Sequence, residues 1–227
     1  MKRKIAVIHT TPVTVSALTP LITSRIPDCE IINYVDDSIL PSLRDNAANE
    51  KRVEKHWTTY AVFAEEEGAE CVLSACSSVG DIAERAAKAV AIPVLRIDEA
   101  MAEQAVASGS RIGVAATLAT TMGPTMRLLE RKASQTGKII QWKQAVVSEA
   151  YEKLMAGDQE GHDRLLAAAL AELGNECDVV VLAQASMARV LDTLPSEVRS
   201  KFLTSPKSGV ERLREVLGSS KMRGENK

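Results

Sequence analysis

KIAVIHT at Lys4–Thr10 and RIGVAAT at Arg111–Thr117 are the two stretches whose reading decides the fold. Each begins with a basic residue, continues as a short apolar run, and reaches a threonine six places on. An apolar run of this length bounded by polar residues is what a strand buried on both faces of a parallel sheet looks like. Further along, Gly68-Ala69-Glu70-Cys71 is answered by Gly174-Asn175-Glu176-Cys177, each ending a helix and feeding the apolar runs CVLSA and DVVVLA. The separations are 107 residues (111 minus 4) and 106 residues (174 minus 68). Two independent matches at nearly one offset imply a duplicated α/β half.

The rest of the chain fits that reading. Strand patterns at EIINYVDD, IPVLRI, RIGVAATLATT and IIQWKQAVV alternate with helix patterns. The helices are expected at VSALTPLITSRI, interrupted or started by Pro20, at 49–67 up to Gly68, at IAERAAKAVA, MAEQAVAS, GPTMRLLERKASQTG, 148–173 and SMARVLDTL. Such alternation predicts parallel sheets wound by right-handed crossovers. The tail from Ser219 to Lys227 is expected to be disordered.

Composition narrows the function. Of 227 residues, 45% are hydrophobic and 26% charged, which suits a globular α/β chain able to bury a core. The formal net charge is −2, and no basic stripe interleaved with aromatics marks a nucleic-acid groove. The apolar part of MKRKIAVIHT ends at Ile8, too soon for a signal peptide, and no run approaches the roughly 20 apolar residues of a membrane span. A cytoplasmic protein without membrane or nucleic-acid partners is expected. Cys71 and Cys76 have the spacing of neither a CxxC motif nor a zinc half-site, so the four cysteines are expected to be reduced and no metal is expected. GxGxxG and P-loop motifs are absent.

Two strand-to-helix turns carry the chemistry: SACSSVG at Ser74–Gly80 and LAQASMA at Leu182–Ala188. If the halves duplicate, a ligand is expected beyond the carboxyl ends of the strands, where Thr10 and Thr11, Ser74 to Ser78, Thr117 to Thr121 and Gln184 to Ser186 would converge. Hydroxyls and the amides of helix starts suit a carboxylate, although Ser77, Ser78 and Ser186 serve equally as helix caps. His9, at the end of the first strand, is a possible auxiliary acid or base. His56 lies in the long amphipathic helix, and His162, in DQEGHDR, is expected to face solvent. Asp81 and Glu84 favour the dipole of the helix they open. Cys29, Cys71 and Cys177 read as buried small hydrophobes.

ACSSVG, IGVAATLATTMGPTMRLLE and VVLAQASMA, in that order, resemble the Asp/Glu racemase superfamily of glutamate, aspartate and hydantoin racemases, maleate isomerases and arylmalonate decarboxylases. The resemblance runs from Lys4 to about Val210, and its most specific piece is Gly113 to Thr121. It implies two Rossmann-like parallel-sheet domains of pseudo-twofold symmetry, 1–97 plus 206–227 and 98–205, with an active site in the cleft between them. It further implies no cofactor, a small carboxylate substrate and a homo-oligomer, a dimer or larger. Cys76 matches the first catalytic cysteine. Ser77, Ser78, Thr117 and Thr120 match substrate-binding positions, and Thr10, Thr11, Ala185 and Ser186 are expected to bind substrate beside them. The second catalytic cysteine should stand where Gln184 stands. An amide only donates and accepts hydrogen bonds, which departs from two-thiol racemisation. One thiol leaves open an isomerase or racemase at the α-carbon, a decarboxylase or cis–trans isomerase, and a carboxylate binder with reduced catalysis.

Overall fold

The computed structural model describes residues 2–224. The chain forms two compact units, one running to Ile97 and resuming at Pro206, the other covering Asp98–Ser205. Among the described residues no helix is long and apolar enough to cross a membrane.

In the first unit, strands β1 (Arg3–His9), β2 (Cys29–Val35), β3 (Cys71–Ser74) and β4 (Val94–Arg96) form a parallel sheet in the order β2-β1-β3-β4. Helices α1 (Val13–Arg25), α2 (Ile39–Asp45), α3 (Glu50–Glu66) and α4 (Gly80–Ala86) surround it. One face, Ala6, Ile8 and Val72, packs on Val53, Trp57, Ala61 and Ala64 of α3 and Ile82 and Ala83 of α4. Those α3 residues recur every three or four positions, the stripe of a helix seated on a core. The other face, Ile5, Val7 and Leu73, packs on Leu18 and Ile22 of α1. Pro20 neither starts nor interrupts α1 but lies inside it on the exposed side, so its ring costs a hydrogen bond without disturbing the buried stripe.

The second unit contains α5 (Glu99–Ser108), β5 (Arg111–Ala116), α6 (Ala119–Thr136), β6 (Gln141–Val146), α7 (Ser148–Met155), α8 (Gln159–Glu176), β7 (Val179–Leu182), α9 (Ser196–Arg199) and β8 (Phe202–Thr204). Its sheet is again parallel, in the order β6-β5-β7-β8. The last helix, α10 (Ser205–Gly224), returns to the first unit, where Val210, Leu213 and Leu217 pack on Ile5 and Val7. Conversely α5, which follows β4, packs on the second sheet through Met101, Ala105 and Val106.

Several local expectations are corrected. The strand expected over 111–121 ends at Ala116, and Thr120 and Thr121 lie in the first turn of α6. The single helix expected over 148–173 is two, because Gly157 takes φ +80° and the Asp158 carboxylate then caps α8 by accepting from Gly161 N at 2.8 Å. SMARVLDTL, up to Thr193, lies in a 3-10 helix, Ala185–Thr193. From Ser219 the chain continues as α10 to Gly224, carried by the buried stripe at 210, 213 and 217; the last three residues of the expected disordered tail lie outside the described residues.

Strand register refines the repeat. Ile5 pairs with Cys71 and Ile8 with Ser74, while Ile112 pairs with Val179 and Ala115 with Leu182. The central strands keep the 107-residue offset (112 minus 5), but their partners are offset by 108 (179 minus 71). Cys71 therefore opens β3, whereas Cys177 stands two residues before β7, so the two are not equivalent. The loops obey the same offset. Ala75 N donates to Ile8 O as Ala183 N does to Ala115 O, and Val79 N donates to Cys76 O as Met187 N does to Gln184 O. Cys76 and Gln184 occupy equivalent positions (184 minus 76 is 108).

Candidate active site

At the first turn, Cys76 has extended backbone (φ −136°, ψ 123°) and leads through a 3-10 turn, Ser77–Val79, straight into α4. The cysteine is half-buried, and Ser77 and Ser78 are buried. Strand alternation puts Ser74 and Cys76 on the sheet face that also carries Val72, and Thr10 on the face of Ala6 and Ile8, which is the same face. Thr10 and Ser74 are both buried, and neither hydroxyl has a hydrogen-bond partner among the described residues. Thr11, half-buried, opens α1 by accepting from Val13 N at 3.4 Å.

Beneath this turn lies a residue that sequence reasoning missed. Arg96, 3% exposed, ends β4 beside Ser74 and donates to Glu84 at 2.8 Å and to Asp81 at 3.4 Å. The two acids thus anchor a buried cation as well as favouring the helix dipole. Gly80 makes room for the guanidinium, since a Cβ there would stand 2.2 Å from Arg96 Cζ. A charged residue at an inward position of the apolar IPVLRI run was the available signal.

At the second turn, Gln184 has the same extended backbone (φ −130°, ψ 135°) and opens the 3-10 helix at Ala185. Its Oε1 accepts from Thr117 N at 2.6 Å and from Thr117 Oγ1 at 3.0 Å. With the carbonyl end held by the end of β5, the amide nitrogen points the other way, carrying two N–H donors. Thr117 is buried and spends both donors on Gln184. Ala185 and Thr120 are half-buried, and Ser186 is exposed.

None of the three histidines is hydrogen-bonded to Cys76 or Gln184 among the described residues. His9 is fully buried, with Nδ1 2.7 Å from Thr14 Oγ1 and Nε2 2.9 Å from Asn33 Oδ1. Burial lowers its pKa below 6.5, against the opposing effect of the hydrogen bond to Asn33 Oδ1. The ring bridges Asn33 and Thr14, tying β1, β2 and α1 together. His56 is exposed, 3.7 Å from Asp36. His162 is buried, not solvent-facing: it shares the inward stripe of Leu166, Leu170 and Leu173, and its Nδ1 lies 2.6 Å from Asp163 and 3.2 Å from Arg189. That spacing of four was the overlooked signal. Burial pushes the Cys71 thiol up to about 12 and raises those of Cys29 and Cys177.

Comparison with known proteins bears on what these turns belong to. The chain resembles the glutamate racemase of Bacillus anthracis (TM-score 0.74, 17% identity, covering 96% of this chain and 82% of that one). It also resembles an aspartate racemase of Picrophilus torridus (0.70, 15%, 95% and 94%) and the allantoin racemase of Klebsiella pneumoniae (0.69, 19%, 96% and 89%). At these identities the likeness establishes the fold. No curated protein matches the sequence significantly. The family model described as Asp/Glu/Hydantoin racemase, however, matches residues 5–213, nearly the whole of both sheets and the helices around them. The chain belongs to the Asp/Glu/hydantoin racemase family.

Proposed function

We propose that this protein is an isomerase acting at the α-carbon of a small carboxylate, with Cys76 as its one thiol acid/base and Gln184 as a fixed hydrogen-bond donor. The observation that carries this reading is what stands at the equivalent turns: a thiol in the first half, an amide oriented by Thr117 in the second. Substrate contacts are assigned to Thr11, Ser77, Ser78, Thr120, Ala185 and Ser186, and His9 is assigned a structural role. The Cys76 thiolate removes the α-proton and leaves an enediolate. The Nε2 protons of Gln184 and the amides and hydroxyls of the first turn then stabilise the developing oxyanion. No cofactor is required for that chemistry. One thiol returns the proton to the face it left, so inversion requires a second acid, whereas exchange with solvent does not.

A second reading, decarboxylation of a malonate-type acid, also follows from the lone thiol, because loss of carbon dioxide leaves an enediolate that needs a proton on one face only. Proton NMR in deuterium oxide over a panel of chiral amino and hydroxy acids, hydantoins, maleate and malonates separates these reactions. Loss of the α-proton signal reports proton abstraction, inversion of configuration read by chiral chromatography of the same samples identifies the isomerase, and loss of carbon dioxide identifies the lyase. Cys76→Ala is expected to cost about 100-fold or more, and Gln184→Leu about 100-fold through the lost oxyanion donor. Inertness of the wild type across the panel refutes both readings for these compounds and leaves a carboxylate binder.

A further inference from the structure

The two halves place a threonine at the same register against the side chain at their turn, and the second half displays what that threonine can do. There, a threonine ending the central strand directs its N–H and its hydroxyl onto one acceptor, Gln184 Oε1, at 2.6 and 3.0 Å. The first half has the same residue, Thr10, at the same register relative to Cys76, since Ile8 pairs with Ser74 as Ala115 pairs with Leu182. Thr10 is 2% exposed and its hydroxyl has no partner among the described residues. Ser74, 1% exposed, adds a second unpartnered hydroxyl on the same sheet face, where the second half has the apolar Leu182. Buried hydroxyls without partners are costly, so two of them beside one cysteine call for an acceptor that arises in another state of the site. The thiolate of Cys76 is such an acceptor.

We infer that Thr10 is the anion-stabilising donor to Cys76: its hydroxyl and N–H receive the thiolate as Thr117 receives the Gln184 carbonyl, with Ser74 as the adjoining donor. On ionisation the thiol proton leaves to substrate or solvent, while the Thr10 hydroxyl turns toward sulfur and keeps its own proton. This assignment rests on the reading of Cys76 as the reactive thiol, and it moves Thr10 from the substrate to the sulfur. The charged groups on the neighbouring elements include Asp81, Glu84 and Arg85 on α4, Arg96 on β4, and Glu50 and Glu54 on α3, the last two bonded to Arg85. Substitutions at position 10 alter none of them.

The test is the pH dependence of Cys76 alkylation by iodoacetamide, followed by mass spectrometry of its peptide. Thr10→Val keeps the shape and removes the hydroxyl, and the alkylation midpoint is expected to rise by about one pH unit; Thr10→Ser is expected to restore it. In a parallel arm, the thiol introduced by Gln184→Cys is expected to be alkylated with a midpoint that rises by a similar amount when Thr117→Val is added. A midpoint insensitive to Thr10→Val overturns the inference. Should that variant not fold, insensitivity of the second thiol to Thr117→Val overturns it instead. Alkylation needs no substrate, so an inert substrate panel refutes the proposed activity without touching this result, and an active panel with unmoved midpoints refutes the inference alone.

Discussion

A fully buried imidazole is a weaker base than a free one, and His9 carries that difference into stability. Burial lowers its pKa from 6.5, so between its folded value and 6.5 the unfolded chain binds more protons than the folded one. Stability contributed by the neutral ring is therefore complete above pH 6.5 and lost as pH falls below it. Urea unfolding between pH 7 and pH 5 is expected to show falling stability that flattens in His9→Asn; an equal slope in the variant removes His9 as its source. The carboxylates held low, such as Asp178 at about 2 through its bonds from Arg111 and Ser110, lose their contribution only as pH falls below 3.8. The thiols divide on the same physical ground. Cys71, buried and raised to about 12, is expected to resist iodoacetamide in the native protein, while Cys76, half-buried at a turn, is labelled first.

At the scale of elements, the junction of β3 and α4 depends on a missing methyl group. A Cβ on residue 80 would stand 2.2 to 2.5 Å from three guanidinium atoms of Arg96, and Arg96 is buried and held by Glu84, so it cannot step aside. Gly80→Ala is expected to destabilise by about 1–3 kcal/mol in chemical denaturation. In Gly80→Ala/Arg96→Met the penalty is expected to be less than additive, because the clash partner is gone; strict additivity would mean that the two groups do not meet. The same junction marks the limit of what the sequence discloses. β1 and β5 were legible because strands covered on both faces carry uninterrupted apolar runs, and the equivalence of Cys76 with Gln184 followed from the turns they share. β8 was not legible, since Phe202–Thr204 is three residues without alternation. Nor was the grip of Thr117 on Gln184, a contact between residues 67 apart in the chain. The 3-10 form of Ala185–Thr193 escaped as well, because its apolar spacing suits either helix.

For the whole molecule, the return of α10 to the first unit decides which parts fail together. The second unit is one continuous segment, Asp98–Ser205, and already contains its covering helix α5. The first is interrupted, and one face of its sheet, which α1 covers in part through Leu18 and Ile22, is completed only when α10 supplies Val210, Leu213 and Leu217, all at most 1% exposed. Contacts between β1 and α10 span some two hundred residues of chain, so the first core closes late in folding. The approach of α10 is tight, since a Cβ on Gly209 would lie 2.3 Å from the Ile97 carbonyl oxygen at the end of β4. Leu213→Ala should therefore open a cavity on the Ile5 and Val7 face and destabilise by about 2–5 kcal/mol. Its effect should also be local. Amide hydrogen exchange is expected to accelerate in β1, β3 and β4 while β5, β6 and β7 keep their protection, because the residues that pack β5 and β7 all come from 98–205. Equal acceleration in both sheets would show instead that the two units unfold as one, with α10 stabilising the pair rather than the sheet it covers.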